Sequence, residues 1–160
     1  ELYPGSRLAI GPTIENGFYY DVEFDRPLSE DELPKIEERM KAIVAEKNSI
    51  EMRLVPRAEA VRIFEDRNEP YKVEIIEDTP DQDAFQLYFQ ADSDFVDLCR
   101  GPHLPNLGQV GAFKLTKVAG AYWRGNENNK MLQRIYGTAF SSKTELKKYL
   151  QFLKNPYLII

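Results

Sequence analysis

Gly17-Phe18-Tyr19-Tyr20-Asp21-Val22-Glu23, followed soon after by Ser29-Glu30-Asp31-Glu32-Leu33-Pro34-Lys35-Ile36, is where the chain changes period and commits to a fold class. The first stretch is rich in aromatic and β-branched residues and reads as a strand. It pairs in expectation with Arg7 to Gly11 across a turn through Pro12, Asn16 and Gly17. From Ser29 the apolar residues fall at Leu33, Ile36, Met40, Ile43 and Val44, one stripe of a helix. Ser29 and Glu32 have capping-box spacing, but Pro34 would remove a ladder bond, so the sequence leaves the helix start undecided by a turn.

Further along, Ile50 to Val55 reads as a strand, Arg57 to Asp66 as a helix after Pro56, and Tyr71 to Ile76 as another strand. Thr79-Pro80-Asp81-Gln82-Asp83 is turn chemistry, followed by strands through Phe85, Leu87 and Phe89 and through Phe95, Val96 and Leu98. Val110 to Val118 and Met131 to Phe140 have β composition around a loop from Gly120 to Asn129. A last helix starts at Ser142, with Glu145 at capping-box spacing, and runs to about Leu153. Strands interleaved with helices predict an α+β domain, with a mostly antiparallel sheet and helices packed on it.

The 160 residues suit one domain, and 42% hydrophobic with 29% charged residues is a globular balance. No apolar run is long enough to cross a bilayer, so no membrane is expected. One cysteine leaves no intrachain disulfide, which fits the cytoplasm. Glu1-Leu2-Tyr3-Pro4 has neither the basic start nor the apolar stretch of a signal peptide, and without an initiator Met it reads as a segment of a larger polypeptide. Charge is segregated along the chain. Residues 1–98 hold 11 Lys and Arg against 24 Asp and Glu, whereas residues 99–160 hold 10 against 2. A phosphate backbone would be repelled by the first part and attracted to the second, unless the acidic part is simply solvated helix surface.

Asp97-Leu98-Cys99-Arg100-Gly101-Pro102-His103 holds the chain's single cysteine and single histidine. Gly101-Pro102 disfavours a helix, so the pair is expected at a strand-to-turn junction, facing one pocket. Three readings compete on these residues alone. Zinc needs three or four ligands, and Cys99 and His103 supply two, with Asp97 as a third. A cysteine nucleophile with a histidine base is a second reading. An inert buried thiol beside a satisfied imidazole is the third.

Six blocks, in order between about Arg7 and Leu150, shift that balance: Ile10-Gly11-Pro12, Asn16 to Asp21, Tyr71-Lys72-Val73, Asp97 to His103, Gly120 to Gly125 and Asn128 to Ala139. Together they closely resemble the N-terminal editing domain of bacterial-type threonyl-tRNA synthetase. The related editing domain of alanyl-tRNA synthetase is similar in its Cys-x-x-x-His element, but lacks the Trp123-Arg124-Gly125 and Met131 to Ala139 text. The resemblance implies an editing, or second additional, domain over residues 1–154 with a tail of uncertain status at 155–160. It also implies hydrolysis of serine wrongly esterified to threonine tRNA. Serine lacks only one methyl of threonine, worth about 1 to 3 kcal/mol in a binding pocket, so a second sieve is needed.

By the same resemblance, Cys99 and His103 would line the pocket, with His103 the better base. Asp97 would bind the substrate amine, and Lys72 would approach the ester or ribose. Gly11 would let backbone approach the ligand, and Tyr20 would offer a hydroxyl at the wall. Lys114, Lys117, Arg124, Lys130 and Arg134 would meet the 3′ acceptor end of the tRNA, or else be solvated strand edges. Tyr122 and Trp123 read as core. No cofactor or metal is expected for editing, with Cys99 and His103 the only metal-ligand candidates. Zinc, ATP and magnesium would belong to the aminoacylation domain of a homodimeric parent, to which no block here is similar.

The likeness departs at both ends. Family members carry a His-x-x-x-His helix upstream of the Ile-Gly-Pro block, and this chain begins after that place, so the isolated segment is expected to have weak or no activity. Asn155 to Ile160 is apolar where the family continues as a charged helix. Two other functions stay open: a non-catalytic module that positions tRNA, and a zinc-dependent hydrolase of the alanyl type.

Overall fold

The computed structural model describes residues 1–155; the tail expected at 155–160 therefore lies, beyond Asn155, outside the described residues. Two antiparallel sheets form the frame. In the first, β1 (Arg7–Leu8), β3 (Gly17–Glu23), β8 (Met131–Phe140) and β7 (Ala112–Tyr122) lie side by side in that order, and β2 (Thr13–Ile14) pairs with the start of β3. In the second, β5 (Ala84–Gln90) runs between β4 (Ile50–Pro56) and β6 (Val96–Leu98). The α+β class read from the sequence holds, with two sheets in place of one.

Three apolar clusters explain the arrangement. Alternation on β5 sends Phe85 and Leu87 to one face, where they meet Val55, Val96, Ala60 and Phe64 of α2 (Arg57–Asp66), and Ile76 of α3 (Pro70–Glu77). Leu33 of α1 (Leu33–Ala45) packs with Leu28 and Leu115 on the first sheet. The third cluster, Tyr71, Trp123, Leu132 and Ala9 with Ile75 against it, joins α3 to the first sheet. Helix α3 thus packs on both sheets.

The strand expected at Tyr71 to Ile76 is instead this helix, the main correction to the sequence reading. Tyr, Val and Ile have β composition, but Pro70 stands in the first turn and the buried side chains are Tyr71, Lys72 and Ile76, a helical spacing. Tertiary packing overrides propensity here. Arg57 fastens the far end of α3, donating to Ile76 O at 2.7 Å, Gln82 O at 2.6 Å and Thr79 O. The expected strand from Arg7 to Gly11 shrinks to two regularly paired residues. Beyond them the Ala9 N–H donates to Asp21 O and the Asp21 N–H donates to Ile10 O.

The Ser29–Glu32 capping box exists, but it closes a 3-10 turn over Glu30–Glu32. Helix α1 starts after it, which puts Pro34 in the first turn, where a missing N–H costs nothing. The remaining strands and α2 follow their expected places closely, and α4 (Lys143–Lys154) begins at the Ser142 cap. No helix of the described residues is long and apolar enough to cross a membrane.

Strand β7 is an edge, and carboxylates from the helical layer cover it. Glu37 Oε1 accepts the Leu115 N–H at 2.9 Å and Glu30 Oε1 accepts the Val118 N–H at 3.2 Å, on either side of a bulge between Leu115 and Lys117. Burial opposes the charge of Glu37, but the Leu115 N–H, Lys41 and Lys114 outweigh it and hold the carboxyl below its ordinary value. A carboxyl lowered in the folded state stabilises fully above its unfolded value, and that stability is lost as pH falls through the lowered one. Glu37→Ala is expected to cost about 1.5 to 3 kcal/mol in urea unfolding at neutral pH, with a smaller difference from the parent chain in acid.

Candidate functional site

Strand β3 of the first sheet, helix α3, and edge strand β6 of the second sheet each contribute one polar side chain to a common point. Lys72 Nζ lies 2.7 Å from Asp97 Oδ1 and donates to the Tyr20 hydroxyl at 2.9 Å. The Tyr20 hydroxyl in turn donates to Asp97 Oδ2 at 3.0 Å. The Leu98 N–H adds a fourth hydrogen bond, 2.8 Å to Asp97 Oδ1. Lys72 is 2% exposed, so this is a buried ion pair and not a surface ammonium. Burial first, and then the Asp97 carboxylate, push the Tyr20 phenol well above its usual range, which keeps it a proton donor.

Two of the sequence-derived roles meet a constraint in the structure. Asp97, expected to hold a substrate amine, already has both oxygens engaged inside the protein, so an incoming ammonium would have to share them. Gly11, expected to bring backbone close to a ligand, instead makes room for Tyr20: a Cβ there would sit 2.1 Å from Tyr20 Cδ2. Lys72, expected to approach the ester or ribose, is bound inside the protein to Asp97 and Tyr20. An ammonium has three donors, and the two partners named above leave one for a water or a substrate oxygen.

Cys99 and His103 lie just past the end of β6, in an irregular segment where the sequence reading expected a turn. The half-buried Cys99 Sγ accepts the Gly101 N–H at 3.3 Å. His103 is exposed to solvent, and one face of its ring is covered by Tyr88, with centroids 3.7 Å apart and planes 16° apart. This partial burial lowers the imidazole pKa against the pull of Asp97, so the neutral base predominates near neutral pH. Among the described residues no three His, Cys, Asp or Glu side chains group as a metal site.

Sequence reasoning missed Glu69 and Tyr88. Glu69 immediately precedes α3, accepts the Leu8 N–H at 2.8 Å, and has its carboxyl raised by burial despite that bond and the nearby Lys72 charge. Its position just before Pro70-Tyr71-Lys72 is a usable signal once that stretch is read as a helix. Tyr88 carried no signal, because an aromatic residue in a strand ordinarily fills a core.

The five basic residues expected at the acceptor end are mostly occupied. Arg134 grips Asp21 with two bonds of 2.8 and 2.9 Å, and Lys130 pairs with Glu23 at 2.7 Å. Arg124 pairs with Asp78 at 2.5 Å, and Lys114 with Glu37 at 3.4 Å. Lys117 lies 4.5 Å above the Tyr136 ring. Trp123 is core, as read, but Tyr122 is 39% exposed. Among the described residues the lysines of α4 (Lys143, Lys147, Lys148 and Lys154) form no ion pair, so unneutralised positive charge collects on that helix.

Residues 86–136 match the family described as the threonyl and alanyl tRNA synthetase second additional domain. The chain is 57% identical over 149 residues, 93% of its length, to a threonine-tRNA ligase of Acetivibrio thermocellus, covering 23% of that protein. It is 56% identical to one from Clostridium tetani over 96% of its length and 24% of the relative's, and 49% identical to one from Marinobacter nauticus over the same shares. The chain thus spans about a quarter of the length of the curated relatives it matches.

Because Lys72 and Asp97 balance each other away from water, Lys72→Met is expected to cost about 3 to 5 kcal/mol in urea unfolding, as removal of one partner strands the other. Gly11→Ala, which drives a methyl into the Tyr20 ring, is expected to cost about 1 to 3 kcal/mol in the same measurement.

Proposed function

We propose, from the premise that this chain carries the second additional domain of threonyl- and alanyl-tRNA synthetases, that it serves proofreading by hydrolysing the ester of serine mischarged onto threonine tRNA. The observation that carries this reading is the buried Lys72–Tyr20–Asp97 cluster with the stacked His103 on the neighbouring loop. In this reading a water oxygen attacks the ester carbonyl carbon as its proton passes to a nitrogen of His103. The remaining donor of Lys72 supports the oxyanion of the tetrahedral intermediate. Collapse breaks the bond to the ribose oxygen, which takes the proton back from the imidazolium and leaves serine and free tRNA. Tyr20 and Asp97 hold Lys72 charged and aimed, and Asp97 shares an oxygen with the substrate amine. The partner is the 3′ acceptor end of threonine tRNA, and the setting is cytoplasmic, within a parent enzyme.

A second reading, a module that positions tRNA without catalysis, is favoured by the lysines of α4, which form no ion pair among the described residues while Lys130 and Arg134 do. The two readings separate by experiment. Seryl-tRNA deacylation is measured on the chain and on a polypeptide extended upstream, each with and without His103→Ala. Proofreading predicts a loss of about 10²- to 10⁴-fold on removing His103. It also predicts that the rate falls as pH drops through the lowered imidazole value, because protonation removes the base. An unchanged rate after His103→Ala rejects His103 as the base. Replacing Lys143, Lys147, Lys148 and Lys154 by Gln is expected to weaken tRNA binding and to flatten its dependence on salt, as each lost phosphate contact removes about 0.7 to 0.9 from the log–log slope.

A further inference from the structure

A histidine base is normally aimed by a hydrogen bond from its second nitrogen to a third group. His103 has none. Among the described residues neither of its ring nitrogens has a hydrogen-bond partner, and it sits in the irregular segment between β6 and the 3-10 turn Leu107–Gln109. What fixes its ring plane is Tyr88.

Tyr88 is itself held on three sides. It is 7% exposed, in the middle of β5. Its antiparallel partner on β6 is Asp97, and directly paired residues share a face, so the phenol stands beside the carboxylate that binds Lys72 and Tyr20. Its hydroxyl reaches into the space above Gly101, where a Cβ would lie 1.7 Å from the phenol oxygen. Gly101 also has a φ of +72°, so glycine at this position meets two demands at once, backbone conformation and space. The hydroxyl's own hydrogen bond, to Gln86 Oε1, is at the 3.5 Å limit, so the ring and not the oxygen does the holding. Two residues past Gly101, the imidazole lies on that ring at 3.7 Å.

We infer that Tyr88 is the positioning residue for His103: it orients the imidazole by ring stacking, in place of a hydrogen-bonded third group, and so leaves both nitrogens free to meet water and substrate. The kinetic consequence rests on the proofreading reading above, whereas the orientation does not. Asp97 and Tyr88, cross-strand neighbours, tie the lysine half of the site to the histidine half through one rung of the β5–β6 ladder.

Because the chain contains one histidine, its imidazole signals are unambiguous in the NMR spectrum. In the unmodified chain the His103 ring protons are expected to be shifted upfield by the Tyr88 ring current and to show cross-relaxation with Tyr88 ring protons. Tyr88→Phe keeps the shift and holds the deacylation rate within about threefold. Tyr88→Leu abolishes the shift and lowers kcat about 10- to 100-fold, the scale of a small misplacement of a reacting group. In a double-mutant cycle Tyr88→Leu adds little once His103→Ala is present. Absence of the shift and cross-relaxation in the unmodified chain overturns the orientation, even if the Leu variant does not fold. Additive losses in the cycle, or an unchanged rate in Tyr88→Leu, overturn the positioning role. A stacked imidazole in an upstream-extended polypeptide that never deacylates seryl-tRNA would reject proofreading, while the shift's survival in Tyr88→Phe and loss in Tyr88→Leu would still support the orientation.

Discussion

The buried pairing of Lys72 with Asp97, bridged by Tyr20, is the constraint around which the molecule is arranged. An ammonium and a carboxylate taken out of water lose several kcal/mol of hydration each, and their attraction restores it only where geometry is close and the remaining valences are met. Here Tyr20 and the Leu98 N–H supply those further bonds. The three side chains come from β3, α3 and β6, so satisfying one charge fixes both sheets relative to one helix. Such a cluster contributes more to specifying the relative placement of elements than to net stability, since an apolar replacement of equal volume is often no worse.

The same logic governs the surface. A chain whose first 98 residues are strongly acidic and whose remainder is basic would present two opposed poles if the halves lay apart. They do not lie apart, because β8 of the basic part pairs with β3 of the acidic part, and their register sets Asp21 opposite Arg134. Lys130 and Lys114 meet Glu23 and Glu37 in the same way. Among the described residues, positive charge without such partners survives on α4, outside the strand ladder, which makes this helix the proposed face for a polyanion.

Chemically the site joins a charged, rigid half to a neutral, less enclosed half. Lys72 is buried and held by two partners, whereas His103 rests on a loop against an aromatic face. This division suits the proposed ester hydrolysis. The group that stabilises an anion gains from a dry, preorganised setting, while the group that exchanges protons with water must remain within its reach.

The sequence by itself determined the α+β class, most strand limits, the boundaries of α2 and the caps before α1 and α4, and it nominated Cys99, His103, Lys72, Asp97 and Tyr20 as candidates, because these depend on local period, capping chemistry and recognisable residue text. Tertiary structure alone decided that Tyr71 to Ile76 is a helix, since its β-rich composition yields to the two apolar clusters it must fill. It alone decided that Gly11 accommodates Tyr20, that Asp97 is already spoken for, and that Tyr88 underlies His103. Each is a contact between side chains on different segments, from nine residues apart for Gly11 and Tyr20 to 77 for Tyr20 and Asp97, set by how strands and helix pack, and no local period of residues encodes it.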